Sequence, residues 1–291
     1  MLGELFAIIA PLLICASLGF LWAKQKWPFD TSMVTPLAMN IAVPCLAFFA
    51  ISTLEVDAAA FGELAVAIVV AFAGFMIVGG AVLKTFGLPI RTYLPSLSFP
   101  NVGNMGLPLA LFAFGDTGVA LGMAWYVIAS LGHFTIGIWM VSGSASPAVL
   151  LKSPIIYALI AAFAFMLTAT PPPKWILNTT QLLGNLGIPL MLLTLGVSLA
   201  RLRVVGLARG IALSVLRLVM GLVIGLLVAE LFALEGVARG VFILDCAMPV
   251  AVFNYIMAER YGRGSSDVAS MVVISTAISL ATLPLLLLII L

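Results

Sequence analysis

The stretch Pro100-Asn-Val-Gly-Asn-Met-Gly-Leu-Pro108 interrupts a long apolar run with two prolines, two glycines and two asparagines. Proline removes a helical hydrogen-bond donor and glycine lowers helix propensity, so we expect a helix to unwind here. If the run lies in a membrane, the freed backbone groups must be buried in protein or face a wet cavity. Asn101 and Asn104 could bond these groups or hold a ligand, and both alternatives stay open.

The composition around this stretch is typical of a polytopic membrane protein. Of 291 residues, 64% are hydrophobic and only 8% are charged, which leaves too little polar surface for a soluble globule. Apolar segments with internal glycine and proline fit helices of about 20 residues and not barrel strands. We therefore predict an all-α fold with ten transmembrane helices, at residues 5–22, 32–51, 61–83, 93–114, 118–141, 154–168, 175–199, 207–232, 237–258 and 268–291.

A repeated motif indicates an internal duplication of the chain. Asn40-Ile-Ala-Val-Pro44 returns 145 positions later as Asn185-Leu-Gly-Ile-Pro189. Five segments, an odd number, separate the copies, so the second copy would be inverted in the membrane. We predict a 5+5 inverted repeat, residues 1–145 and 150–291, in which broken helices four and nine cross. The alternative is that the helices merely tolerate kinks.

Segment nine contains a second break, Ala247-Met-Pro249-Val-Ala-Val-Phe-Asn254. If both breaks meet at the midplane, the N-terminal ends of two half-helices converge with their positive dipole ends. Such a site could hold a carboxylate although neither break contains Lys or Arg. We expect no metal and no other cofactor. The candidate substrate-binding residues are Asn40, Pro44, Pro100, Asn101, Gly103, Asn104, Asn185, Pro189, Pro249 and Asn254.

Three ionisable residues lie inside predicted spans, where such a side chain is costly and indicates a structural or functional role. They are His133, Arg217 and Asp245. Asp245 lies one turn before the segment-nine break, so it could carry a coupling proton or form a structural ion pair with Arg217; the ion pair is favoured. For His133, a hydrogen-bonded core role is favoured over a proton relay.

Several function classes have no support in the sequence. It contains no Gly-x-Ser-x-Gly elbow, no Walker loop and no His-Glu-x-x-His, so we do not expect an enzyme. It contains no basic run with interleaved aromatic residues, so we do not expect a nucleic-acid partner. The expected partners are the lipid bilayer and a small organic anion, and the question of a homodimer is left open.

These motifs together resemble the auxin efflux carrier family, which includes PIN-type auxin carriers and bacterial malate and malonate permease-like proteins. The residues that carry the resemblance are 40–44, 100–108, 247–254, Tyr261 and 275–284. The resemblance implies scaffold and transport domains drawn from both repeats, elevator-type alternating access and a small organic anion as substrate. Asn101 is similar to the crossover asparagine that contacts the substrate carboxylate in PIN-type carriers. The long loop of those carriers between segments five and six is absent, which favours the prokaryotic branch.

Two other functions remain as alternatives. One is a sodium- or proton-coupled symporter with an architecture like that of bile-acid transporters, which would need an oxygen-rich cation site at the crossover. The other is a membrane channel or sensor built on the same bundle. The substrate, the direction of transport and its coupling cannot be read from the sequence.

The distribution of cationic residues predicts the orientation in the cell (inner) membrane. Alternate loops hold ten Lys and Arg residues on one side and two on the other, so the positive-inside rule places both termini outside the cytoplasm. An impermeant thiol reagent applied to intact cells should therefore modify a cysteine placed at Gly3 and spare one placed near Ser144. The reverse labelling pattern would overturn this orientation.

Overall fold

The computed structural model describes residues 2–53, 58–143, 153–168 and 170–291. Within these ranges the chain is helical and contains no β-strand, so the predicted all-α class is confirmed. The predicted joint between the repeats, residues 145–150, lies outside the described residues, as do Ser144, near which the second label is placed, and Lys152, one of the ten loop cations on the predicted cytoplasmic side. Seven helices of the described part are long and apolar enough to cross a membrane: Gly3–Lys24, Thr31–Ser52, Phe61–Thr85, Val102–Ser142, Lys174–Arg201, Leu207–Leu231 and Ser265–Ile290.

Three of these spans, Thr31–Ser52, Val102–Ser142 and Lys174–Arg201, are divided into shorter elements. Three π-helical segments continue directly into α-helices: π1 (Ala38–Ala42), π2 (Val102–Gly106) and π3 (His133–Gly137). The α-helices are α1 (Leu2–Lys24), α2 (Thr31–Leu37), α3 (Val43–Ser52), α4 (Ala58–Thr85), α5 (Ile90–Ser98), α6 (Leu107–Gly132), α7 (Ile138–Ser142), α8 (Pro154–Leu167), α9 (Lys174–Gly184), α10 (Gly187–Arg201), α11 (Leu207–Leu231), α12 (Gly236–Cys246), α13 (Val252–Arg260) and α14 (Ser265–Ile290).

The helices pack in two groups. In one group α1 lies along α10, and α3 packs on α8 and α9; in the other, α11 packs on α14, α12 and α4. The contact between α1 and α10 brings backbone against backbone. A Cβ added at Gly19 would overlap the carbonyl oxygen of Leu193, and one added at Gly196 would overlap that of Ala16. Small residues therefore set the closest helix contact of the first group.

A sharp reversal divides α6. Gly115 has φ 65° and ψ −152°, a backbone region that is essentially restricted to glycine. A Cβ at Gly118 would overlap the carbonyl oxygen of Ala110, and one at Gly122 would lie 3.1 Å from Cδ2 of Leu107. The residues before and after Gly115 therefore fold back on each other as two arms of a hairpin. The 41-residue run Val102–Ser142 is not one straight crossing.

Replacement of Gly115 by alanine should lower the melting temperature of the purified protein. Nothing lies within 4 Å of a Cβ at this position, so the lower melting temperature would come from backbone strain and not from a steric clash. Such strain costs about 1 to 3 kcal/mol in this region. Gly62→Ala is the matched control, because Gly62 is helical, exposed and equally free of neighbours; it should melt at or above the native temperature. Equal melting of both variants would contradict the strained turn.

Candidate functional site

The two predicted breaks lie side by side and bond to each other. The N–H of Asn101 donates to the carbonyl of Pro249 at 2.8 Å, and the N–H of Ala251 donates to the carbonyl of Phe99 at 3.3 Å. Together they form one isolated antiparallel bridge between the ends of four half-helices. Backbone groups that have left their helices thus find partners in the opposite break, as buried backbone groups must.

A cavity of about 350 Å³ opens beside this bridge. That volume is at the lower end of the range for small-molecule sites. Five of the ten candidate substrate-binding residues line it, together with His133. The lining consists of Thr35, Met39, Asn40, Pro100, Asn101, Val102, Gly103, Asn104, Tyr126, Ala129, Ser130, His133, Phe134, Ser153, Ile155, Ala251 and Phe253.

The lining is mostly apolar, and the polar side chains within it carry no fixed charge. Among the described residues, no Asp, Glu, Lys or Arg lines the cavity. Val102 begins π2 and Ala251 is the N-cap of α13, so two helix starts border the cavity. The first N–H groups of a helix have no intrahelical acceptor and carry partial positive charge. The electrostatic character of the cavity therefore comes from backbone dipoles and neutral side chains.

Asn101 connects the bridge to the cavity. It is the N-cap of π2, and its Oδ1 accepts from the N–H of Asn104 at 3.4 Å. Its Nδ2 is buried and has no hydrogen-bond partner in the described part of the chain. A buried donor without an acceptor costs about 1 to 3 kcal/mol. A ligand oxygen that reached Nδ2 would remove that cost.

All three π-helical segments contribute to the cavity. Asn40 lies in π1, Gly103 and Asn104 lie in π2, and His133 begins π3. π-Helical turns inside α-helices are frequent at functional sites. Sequence reasoning missed them, because no residue type marks a π-turn. It also missed Tyr126, whose hydroxyl donates to Sδ of Met39 at 3.0 Å and which carries no sequence motif.

His133 is fixed by hydrogen bonding and by ring contacts. Its Nε2 lies 2.7 Å from Oδ1 of Asn254, whose Nδ2 donates to the carbonyl of Phe99 at 3.2 Å. The imidazole stacks on the ring of Phe99 at 4.2 Å between centroids, and Phe253 meets it edge-on at 5.0 Å. Asn254 is thus buried behind the wall of the cavity, as is Pro249, and both position groups that line it.

The remaining candidate residues lie elsewhere. Pro44 is buried near the start of α3. Asn185 and Pro189 line a second cavity of about 270 Å³, together with Asp116 and Gln181. The two copies of the repeated motif touch where a Cβ at Gly187 would lie 3.7 Å from Cβ of Ala42, but Asn40 and Asn185 line different cavities.

Asp245 and Arg217 are fully buried and do not line the cavity. No ion pair joins them in the described structure. Nη2 of Arg217 donates to the carbonyl of Cys246 at 2.9 Å, and its guanidinium lies 4.6 Å from the ring centroid of Phe75. Neither carboxylate oxygen of Asp245 has a hydrogen-bond partner among the described residues. A Cβ added at Gly106 would overlap its Oδ1, so Asp245 packs directly behind π2.

Comparison with known proteins gives concordant matches. A family model described as membrane transport protein matches residues 145–287. The chain is 26% identical over 198 residues to an uncharacterized transporter of Methanocaldococcus jannaschii, an alignment that covers 64% of this chain and 63% of that protein. It is 23% identical over 274 residues to an uncharacterized transporter of Methanothermobacter thermautotrophicus, with 88% of each chain covered.

Gly106→Ala should destabilise the protein by about 1 to 3 kcal/mol, because the new methyl group overfills the contact with Asp245. The second change in Gly106→Ala/Asp245→Ala removes the obstructing carboxyl group and should restore part of the lost melting temperature. Gly80→Ala, at a helical glycine with open space around it, is the control and should not lower it. A Gly106→Ala protein as stable as the control would contradict this packing.

Proposed function

Because this chain belongs to the membrane transport protein family, we propose that it is a secondary carrier that moves a small organic anion across the membrane by alternating access. The family match confirms the resemblance to auxin efflux carriers drawn from the sequence. The relatives are transporters, and the apolar helices are those of a multi-pass membrane protein. The nature of the substrate and the mechanism are our proposals.

The observation that carries the proposal is the cavity beside the paired breaks. Two helix starts border it, and their N–H groups favour negative charge. Asn101 adds a buried amide donor without an acceptor. Fixed neutral donors of this kind suit a carboxylate, which accepts several hydrogen bonds. The cavity volume of about 350 Å³ favours a small substrate.

An inverted repeat with ten crossings is consistent with the observed elements. The hairpin at Gly115 divides Val102–Ser142, α8 adds a short apolar helix, and α12 with α13 forms a second broken helix. Asn40 and Asn185 line different cavities, which supports the inversion, because a two-fold axis in the membrane plane places equivalent residues on opposite sides of the midplane. Both termini then lie outside the cytoplasm.

The two packing groups suggest an elevator mechanism. The group containing α1, α3, α8, α9 and α10 would be the scaffold domain. The group containing α4, α11, α12 and α14 would be the transport domain, and it carries the paired breaks. Movement of the second group against the first would expose the cavity alternately to the two sides of the membrane, as in other carriers built from repeats.

Asn101→Ala should impair anion binding more than folding. Loss of a hydrogen bond to a charged group costs about 1.5 to 3 kcal/mol, which corresponds to roughly ten- to 150-fold in affinity. The measurement is a thermal-shift titration of the purified protein with acetate, malonate and benzoate, since a ligand that binds the folded state raises its melting temperature. Asn178→Ala, at an exposed position of α9, is the matched control and should bind like the unaltered protein.

Four outcomes would argue against the proposal. A folded Asn101→Ala variant with unchanged affinity would remove Asn101 from the site. Anion flux in proteoliposomes without saturation or counterflow would favour a channel, and binding without flux would favour a sensor. A strict requirement for sodium would favour the symporter alternative.

A further inference from the structure

The hydrogen bonds around His133 determine which of its ring nitrogens carries hydrogen. The carbonyl of Phe99 can only accept, so the amide group that faces it, 3.2 Å away, must be Nδ2 of Asn254. Oδ1 of Asn254 then faces Nε2 of His133 at 2.7 Å. Because Oδ1 can only accept, Nε2 must donate. In the neutral ring, Nδ1 therefore has no hydrogen and presents a lone pair.

The same contacts hold the ring in place at the cavity. Phe99 stacks on one face and Phe253 meets the ring edge-on. Glycines make room for this stack: a Cβ at Gly132 would lie 3.1 Å from Cε1 of Phe99, and one at Gly137 would lie 3.0 Å from Cδ2 of His133. The ring lines the cavity, and Nδ1 makes no hydrogen bond to any described residue. A flip of the ring would break the bond to Asn254.

A neutral ring in this position opposes an anion. A carboxylate near Nδ1 would place its lone pairs against another acceptor. A protonated ring would instead offer an N–H donor and a positive charge, and the face of Phe99 would stabilise that charge. We propose that His133 takes up one proton on Nδ1 when the anion binds, so that the carrier moves anion and proton together. This inference rests on the proposed function.

The proton balance is simple. One proton comes from water on the loading side, remains on Nδ1 while the anion is bound, and returns to water on the other side when the anion leaves. A carboxylate with one negative charge would then be carried without net charge.

No other titratable group explains the same behaviour as directly. Tyr126 is the only other titratable side chain on the described lining. The charged side chains on the helices around His133 do not line the cavity. Arg91 lies at the start of α5, Glu259 and Arg260 lie at the end of α13, and Asp116 lines the second cavity. Asp245 packs behind π2 and does not reach the lining.

The experiment exploits the fact that His133 is the single histidine of the chain. In a sample labelled with ¹⁵N-histidine, every imidazole signal belongs to this residue. Without anion, the neutral ring should show the Nε2–H tautomer. At the same pH, saturating acetate, malonate or benzoate should shift it to the form protonated on both nitrogens. This measurement uses the unaltered protein and does not depend on the folding of a variant.

The affinity for the carboxylate should depend on pH, because a proton is taken up with it. Above the pH at which the free ring is neutral, the Kd of the bound carboxylate should rise about tenfold for each pH unit, because one proton is taken up for each anion bound. In His133→Gln, which keeps a polar group but cannot take up the proton, the Kd should not change between about pH 5 and 8. Tyr126→Phe is the matched control and should keep the tenfold slope, whatever its affinity.

The outcomes separate this inference from the function on which it rests. A carboxylate that binds while the ring stays neutral, or a pH slope that survives in His133→Gln, would overturn proton uptake and leave the anion carrier standing. An Nδ1–H tautomer in the free protein would overturn the hydrogen-bond argument. If none of the three carboxylates binds at any pH, the organic-anion function fails and this inference falls with it.

Discussion

The structure depends on the backbone hydrogen bonds between the two breaks. A helix interrupted inside the membrane must satisfy the groups that it releases, and no water or lipid headgroup is available to do so. Here each break supplies acceptors for the other, at Pro249 for Asn101 and at Phe99 for Ala251. The proline of each break brings no N–H of its own. Neither broken helix could exist alone, so the two halves of the chain are bound together where a cavity forms.

The same constraint explains why the described lining of the cavity has no fixed charge. A buried Lys or Arg beside the breaks would need a permanent partner, because an uncompensated charge in the interior costs several kcal/mol. Helix starts and amides provide positive potential without that requirement. Weak, neutral donors also suit a carrier, which must release what it binds. A single ionisable ring then suffices to change the charge of the site, and the stack on Phe99 keeps that ring in one orientation.

Most of the fold could be predicted from the sequence, whereas only the part of the site formed by the first break could be. Apolar runs and their polar boundaries indicate where helices lie, and Pro100 and Pro249 indicate where two of them are broken. Asn101, Gly103 and Asn104 follow directly from the first break. The π-turns at Asn40 and His133 were not predictable, because they depend on a shift of backbone hydrogen bonds that tertiary packing decides. Asn185 lines the second cavity, which the sequence could not show, because repetition in sequence does not say on which side of the midplane each copy lies.

The surroundings of Arg217 give the breaks a consistent electrostatic polarity. Sequence reasoning favoured Asp245 as the partner of this arginine, but the guanidinium binds the carbonyl of Cys246, the last residue of α12. Carbonyls at a helix C-terminus carry partial negative charge, and a cation there is stabilising. Phe75 covers the guanidinium at 4.6 Å and contributes a cation–π contact in place of water. The negative end of α12 is thus neutralised by a fixed cation that does not line the cavity. At the cavity, the amide oxygen of Asn101 caps π2, but no charged side chain of the described lining meets the starts of π2 and α13, and in our proposal these positive ends hold the anion.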